Sequence, residues 1–263
     1  MDRPRFSAGT AEKTEYEIAA TNLPVSFNGF KIAHISDIHS RPAKGVTEII
    51  SEVKPDITVI TGDLVHDDDK SIVEVNELLL KILEISPVYM VTGNHDVWRC
   101  GREKIFNGFE ALGAQLLDGT CIVIEKNGEK IALFGIGDSF SRLPQVISDR
   151  VRADIQKLPE YSGYKILLFH RANLFDEIKD SGFDLILSGH MHGGQIRLPY
   201  LGGMLAPSSA ILSKKRMLFP KYCFGEVHHG ETTMLINRGK GNTLPLPRFG
   251  NRPEVGIVTL RKK

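Results

Sequence analysis

Short apolar runs that each stop at a polar residue constrain this chain more than any other feature. The runs at 31–36, 57–61 and 88–92 have the continuous apolar character of inner strands. Apolar residues at helical spacing lie between them, at 46–53 and 72–82, and a proline follows each of these segments. Strands and helices that alternate with short joins require right-handed crossovers, so this half predicts a largely parallel sheet.

The pattern changes after residue 112. Two alternating runs flank Asn127-Gly128, which predicts a hairpin on a type I′ turn and therefore antiparallel pairing. An edge strand is expected over 15–20 and 23–27, after a polar, flexible arm over 1–14. The chain thus predicts an α/β fold of two mixed sheets with helices outside, in a single domain over 15–263. The remaining strands are expected at 165–169, 185–187, 232–236 and 255–260.

Several of the polar residues that follow these runs are of types that bind metal ions. Asp37 and His39 are two apart, so on extended backbone they point to the same side and can hold one ion. A carboxylate such as Asp63 has two oxygens and can bridge two cations. The set, in this order, predicts a site for two metal ions. Its fragments are Asp37-Ile38-His39, Gly62-Asp63, Gly93-Asn94-His95-Asp96, His170 and Gly189-His190-Met191-His192.

Each fragment alone has a plainer interpretation. An isolated Asp-x-His is more often a solvated loop, and an Asp after a Gly more often forms an Asx turn. His170, which follows an apolar run, could be a hydrogen-bonded core histidine. The pair His190 and His192 in a glycine-rich loop is harder to explain in this way, so the combination favours metal binding.

This combination resembles the calcineurin-like metallophosphoesterases, over nearly all of residues 29–260. The resemblance implies a four-layer α/β/β/α sandwich with two divalent ions above the strand ends. It also implies His95 as the catalytic histidine, with Asp96 as its orienting carboxylate. By position, the implied ligands are Asp37, His39 and His192 for the first ion, Asn94, His170 and His190 for the second, and Asp63 as the bridge.

The implied chemistry is phosphoester hydrolysis. Two cations ~4 Å apart lower the pKa of a shared water, so a bridging hydroxide can attack phosphorus in line. A protonated His95 can then stabilise or protonate the leaving oxygen. Mixed nitrogen and oxygen ligands suit Mn, Fe or Zn better than Ca²⁺.

The sequence constrains the identity of the substrate less than it constrains the metal site. Gly-His-Met-His-Gly-Gly-Gln at 189–195 and the segments around Arg238 and Arg252 resemble a bacterial branch of small phosphoesterases often tied to the cell envelope. The leading hypothesis is a phosphodiesterase for small or lipid-linked substrates. The alternatives are a UDP-2,3-diacylglucosamine-type pyrophosphatase and a catalytically silent metal-binding module. Arg238 and Arg248 are candidate phosphate contacts.

Composition sets the expected partners and location. Basic and acidic residues balance, 33 against 32, and no basic stripe with interleaved aromatics is evident, so no nucleic-acid partner is expected. No obligate protein partner is evident either. Three cysteines without a Cys-x-x-Cys spacing and the lack of an apolar leader favour a cytoplasmic location. The apolar and basic segment 200–224 is either a lid or a peripheral membrane contact.

Overall fold

The computed structural model describes residues 9–69, 71–205, 218–241 and 247–263, and within them the chain forms two six-stranded mixed sheets. In the first sheet every neighbouring pair is parallel except the pair formed by 254–262 and 31–35. Its strands are, from edge to edge, β1 (Glu12–Ala20), β14 (Glu254–Lys262), β2 (Lys31–Ile35), β3 (Ile57–Thr61), β4 (Val88–Val91) and β5 (Gln115–Leu116).

The second sheet is parallel at its centre and antiparallel at both edges. The predicted hairpin is confirmed: its two strands pair from Lys126 and Glu129 outward, and Asn127 and Gly128 both have positive φ, as a type I′ turn requires. The strands are β12 (Gly225–His229), β13 (Thr232–Ile236), β9 (Leu185–Gly189), β8 (Lys165–Arg171), β7 (Glu129–Ile136) and β6 (Thr120–Lys126). A separate ribbon pairs β10 (Arg197–Leu198) with β11 (Gly202–Gly203).

Three apolar layers hold the sheets and helices together. Helices α1 (Val46–Val53), α2 (Val73–Leu83) and α4 (Arg102–Leu112) pack on one face of the first sheet. Helices α5 (Pro144–Lys157) and α6 (Phe175–Ile178) pack on the second sheet. The inner faces of both sheets meet in the third layer. Because side chains alternate along a strand, each central strand contributes to two layers, and the predicted four-layer α/β/β/α sandwich is confirmed.

The N-terminal region differs from the prediction in two places. β1 begins at Glu12, inside the segment expected to be an arm, because residues 12–14 pair in parallel with 254–256. Residues 1–8 lie outside the described ranges. The second half of the predicted edge strand is a 3₁₀ turn at Val25–Phe27. This turn lets both Leu23 and Phe27 reach the space between the sheets, where they are fully buried.

The segment predicted to contact a membrane is described only in part. Residues 206–217 lie outside the described ranges, so the interpretation as a membrane contact stays a prediction. Within the described ranges, no helix has both the length and the apolar character needed to span a bilayer. Tyr200, Leu201, Leu218 and Phe219 have exposed apolar side chains in this segment.

Candidate metal centre

The seven predicted metal ligands are all buried, and they lie at the carboxyl ends of strands in both sheets. Helix α3 (Asn94–Trp98) begins directly after β4 and Gly93, so it carries Asn94 and His95 into this region. His170 lies within β8 rather than after it, because this strand continues to Arg171. The other ligands follow strand ends: Asp37 and His39 after β2, Asp63 after β3, and His190 and His192 after β9.

Asp37, His39 and His192 form the first group, with ligand atoms within 4.8 Å of one another. The Nε2 atoms of His39 and His192 are 3.2 Å apart, and Asp37 Oδ1 is 3.4 Å from His192 Nε2. Asp37 Oδ2 accepts hydrogen bonds from Ser36 Oγ and the His190 amide. Its Oδ1 is buried and has no hydrogen-bond partner among the described residues. Two imidazole nitrogens and an unpartnered carboxylate oxygen therefore converge, which fits a divalent cation.

Asp63, His170 and His190 form the second group. His170 Nε2 is 3.2 Å from Asp63 Oδ2 and 3.1 Å from His190 Nδ1. His170 Nδ1 donates to the Thr61 carbonyl oxygen at 2.7 Å, and this second contact orients the ring so that Nε2 faces the group. The side-chain oxygen and nitrogen of Asn94 are both buried without a hydrogen-bond partner in the part of the chain that is described. A buried amide left in this state is costly unless something else binds it, so Asn94 also fits a ligand role.

Asp63 faces both groups with a single oxygen. The His95 backbone amide donates to Oδ1 at 2.8 Å, which fixes the orientation of the carboxylate. Oδ2 is then 3.2 Å from His170 Nε2 in the second group and 3.7 Å from His39 Nε2 in the first. This position fits a carboxylate oxygen shared by two cations.

The backbone around the ligands is unusual. Asp37, His39, Asp63, His190 and His192 all have positive φ, between 48° and 73°. This region is unfavourable for residues with a Cβ, and such conformations concentrate at functional sites. Two glycines allow the close approach that these turns need: a Cβ at Gly93 would collide with the Asp63 carboxylate, and one at Gly189 with Ser36 Oγ.

His95 lies beside the two groups and is more accessible than the ligands, with a side chain that is 16% exposed. Its ring is 5.0 Å from the ring of His39. The carboxylate that binds it is Asp67, whose Oδ1 is 2.7 Å from His95 Nδ1. The prediction that Asp96 orients His95 is therefore wrong. Asp96 is the third residue of α3, and its carboxylate turns back to accept from the amides of Gly93, Val65 and Leu64.

The pKa shifts of His95 and Asp67 agree with their contact. Burial lowers the pKa of His95, but the carboxylates of Asp63 and Asp67 outweigh it and raise the pKa. The hydrogen bond from His95 lowers the pKa of Asp67 to about 2. Burial and the nearby Asp63 raise the pKa of Asp96 to about 7. His95 and Asp67 thus favour an imidazolium beside a carboxylate at neutral pH.

Sequence reasoning missed Asp67 and its neighbour His66, whose ring is 4.4 Å from that of His95. The available signal was the run His66-Asp67-Asp68-Asp69, which follows Gly62-Asp63 in the same strand-end loop. A run of charged residues of this kind is more often a solvated loop, and only the fold shows that Asp67 reaches α3.

The two arginines predicted to contact phosphate differ in position. Arg248 Nη2 is 3.2 Å from His192 Nδ1 and donates to the Gly241 carbonyl oxygen, so Arg248 borders the first group. Arg238 instead forms an ion pair with Glu254 at 2.8 Å and donates to Thr14 Oγ1. Its guanidinium therefore contacts residues of β1 and β14.

A Glu254→Gln variant is expected to lose about 3 kcal/mol of unfolding free energy at pH 7, because Arg238 would lose its buried partner. Burial raises the pKa of Glu254, but Arg238 and the Tyr16 hydroxyl outweigh it and lower the pKa. The stabilisation is therefore present above the unfolded pKa of about 4.3 and is lost as the pH falls further. Urea unfolding at pH 7 and pH 3.5 checks this. Glu15→Gln, at an exposed site on β1, is the matched control, and an equal difference at both pH values would contradict the prediction.

Comparison with known proteins supports the fold and identifies the family. Residues 30–194, more than half of the chain, match the calcineurin-like phosphoesterase family. The chain belongs to this family. It is therefore a metal-dependent phosphoric ester hydrolase, as the resemblance implied.

The relatives of this calcineurin-like phosphoesterase include bacterial proteins of similar length. An uncharacterized metallophosphoesterase of Bacillus subtilis, YkuE, is 31% identical, over 95% of this chain and 85% of the relative. The phosphodiesterase YaeI of Escherichia coli is 30% identical, over 88% of this chain and 82% of the relative. Among solved structures, TT1561 of Thermus thermophilus has a TM-score of 0.50 at 13% identity, over 80% of this chain and 90% of that one, and it supports the fold.

Proposed function

We propose that the protein is a dinuclear phosphodiesterase that acts on small or lipid-linked phosphoesters. The observation that carries the proposal is the position of Asp63 Oδ2, which faces His39 in one group and His170 in the other. A carboxylate shared in this way has no evident structural purpose in a buried site, since it places the charge of Asp63 among imidazoles rather than against Lys or Arg. It is the arrangement expected for two neighbouring cations.

The protein residues divide into ligands and a proton donor. Asp37, His39 and His192 would hold the first divalent ion, and Asn94, His170 and His190 the second, with Asp63 common to both. When bound, two ions of Mn, Fe or Zn would activate water and neutralise charge on the phosphoryl oxygens.

His95 supplies the remaining step. Asp67 holds Nδ1, so Nε2 carries the proton that can be given away. As the bond from phosphorus to the leaving oxygen breaks, this proton passes from His95 Nε2 to that oxygen, and Asp67 stabilises the imidazolium until then. A catalytically silent metal-binding module would gain nothing from a His95–Asp67 pair beside its ligands.

Lipid-linked substrates are supported by the surface next to the first group. The ribbon of β10 and β11 is joined to the His192 loop, because the amides of Met204 and Leu205, which follow β11, both donate to the Gly194 carbonyl oxygen. Tyr200 and Leu201 are exposed in the turn between the two strands of this ribbon. Apolar side chains exposed beside a buried polar site suit a substrate with an apolar portion.

A UDP-2,3-diacylglucosamine-type pyrophosphatase is the alternative within the same chemistry. It would break a bond between two phosphates, and a phosphate leaves more readily than an alkoxide. Such a reaction would depend less on proton donation by His95.

The test is hydrolysis by protein that has been stripped with a chelator and reloaded with Mn²⁺, Fe²⁺ or Zn²⁺. We expect turnover of bis(p-nitrophenyl) phosphate that exceeds turnover of p-nitrophenyl phosphate, and two metal ions per chain by elemental analysis. No turnover of either ester with any of the three metals, or one ion per chain at full activity, would overturn the proposal. Faster cleavage of a nucleotide-linked lipid pyrophosphate than of any diester would favour the alternative.

A further inference from the structure

Trp98 lies next to the catalytic histidine. His95 and Trp98 are three residues apart on α3, so their side chains lie on the same side of this helix. Their rings contact edge to face, with centroids 5.5 Å apart. A group bonded to an oxygen that accepts the proton of His95 can therefore reach the indole of Trp98.

A loop from the second sheet meets Trp98 at this point. The Trp98 indole Nε1 donates to the Phe140 carbonyl oxygen at 3.2 Å. The Arg142 guanidinium lies over the indole ring, 3.9 Å from its centroid. The side chains of Phe140 and Leu143 are each 66% exposed. The indole of Trp98 and the guanidinium of Arg142 thus stack beside His95, and the exposed ring of Phe140 belongs to the same loop.

This loop is held in place. At its start, the Asp138 carboxylate pairs with Arg171 on β8 at 2.8 Å, and the Asp138 amide donates to the Thr92 carbonyl oxygen at the end of β4. Further along, the Ser141 amide donates to Ser139 Oγ. Because these contacts reach both sheets, the loop has a fixed position relative to α3, and the stacked pair is in place before substrate arrives.

Arg142 is an exposed cation without a carboxylate partner among the described residues. Nearby arginines on α5 do have such partners, since Arg150 pairs with Asp154 and Arg152 with Asp149. A guanidinium that stacks on an aromatic ring keeps its edge N–H groups free to bind an anion. Arg142 can therefore contact a negative group that lies beyond the scissile bond.

We propose that Trp98, Phe140 and Arg142 form the subsite for the leaving group, and that this subsite favours a leaving group with a flat ring and a negative charge. The proposal rests on the proposed function, because it uses His95 as the donor to the leaving oxygen. Ring stacking on Trp98 and Phe140 would supply affinity for the flat part. Arg142 would select for the charge.

Three methyl phosphodiesters with different leaving groups test the subsite: 4-nitrophenol, its 3-carboxylated analogue, and trifluoroethanol. Trp98→Leu is expected to lower kcat/KM for both aromatic esters about fivefold more than for the trifluoroethyl ester. Arg142→Gln is expected to lower kcat/KM for the carboxylated ester about threefold more than for the uncharged aromatic ester. Arg150→Gln, an exposed arginine on α5, is the matched control and should change none of these ratios. Equal losses on all three esters would overturn the proposal.

Direct binding gives a second readout, because Trp98 is the only tryptophan of the chain. With metal-loaded protein, 4-nitrobenzylphosphonate should quench the tryptophan fluorescence far more than methylphosphonate, after correction against N-acetyltryptophanamide. Phe140→Ala should raise the concentration needed for half of the quenching about threefold. A wild type that hydrolyses no ester would count against the proposed function, while absence of quenching would overturn the leaving-group subsite.

Discussion

An Asp63→Asn variant is expected to lose about 10³-fold or more of its kcat/KM for bis(p-nitrophenyl) phosphate. The change replaces one carboxylate oxygen by an amide nitrogen that cannot bind a cation, and it removes the charge that faces both His39 and His170. The backbone contact from the His95 amide can persist, since an asparagine oxygen also accepts hydrogen bonds. The fold should therefore survive, and the loss should appear in metal content and turnover.

Elemental analysis and the diester assay, run on the same samples, check the Asp63 prediction. The variant should bind fewer than two ions per chain at metal concentrations that saturate the wild type. Asp118→Asn is the control: Asp118 is another carboxylate near the strand ends, but it accepts from Thr92 and takes no part in either group. If the Asp63→Asn protein keeps both ions and at least a tenth of the wild-type activity, then Asp63 is not a ligand shared by two cations.

The order of strands and helices was largely predictable because it depends on local patterns. The inner strands β2, β3 and β4 have continuous apolar runs, and the helices between them have apolar residues at helical spacing. The parts that differed depend on partners distant in the chain. Residues 12–14 form a strand only because β14, more than 200 residues later, pairs with them. The polar sequence of this segment gives no sign of that pairing.

The ligand residues could be predicted because their types and spacing are unusual together. Their geometry could not, since five of them have positive φ, a conformation that only a minority of Asp and His residues adopt. His190 and His192, two residues apart in one loop, lie in different groups.

Proximity in sequence did not identify the carboxylate that contacts His95, which is Asp67 and not Asp96. Asp96 is next to His95, but neighbours on a helix point about 100° apart, so Asp96 faces the amides at the start of α3. Asp67 lies in the loop that follows β3, and its carboxylate contacts Nδ1 of the His95 ring. A contact between two loops that belong to different strands requires the fold to be known.

His95→Gln is expected to lower kcat for the methyl trifluoroethyl phosphodiester, whose alkoxide leaving group needs a proton, about 10²-fold or more while leaving metal content unchanged, since His95 donates a proton and is not counted among the ligands. Asp67→Asn should cause a smaller loss, about tenfold, because the imidazole remains but loses the carboxylate that orients it and favours its protonated form. That variant should also lose activity at a lower pH than the wild type on the alkaline side of the kcat profile, because the raised pKa of His95 depends in part on Asp67. Asp96→Asn is the comparison variant, because the Asp96 carboxylate raises the pKa of His95 less than Asp67 does and should therefore shift the alkaline limb less. A larger shift for Asp96→Asn than for Asp67→Asn would contradict the assignment of Asp67 as the carboxylate that serves His95.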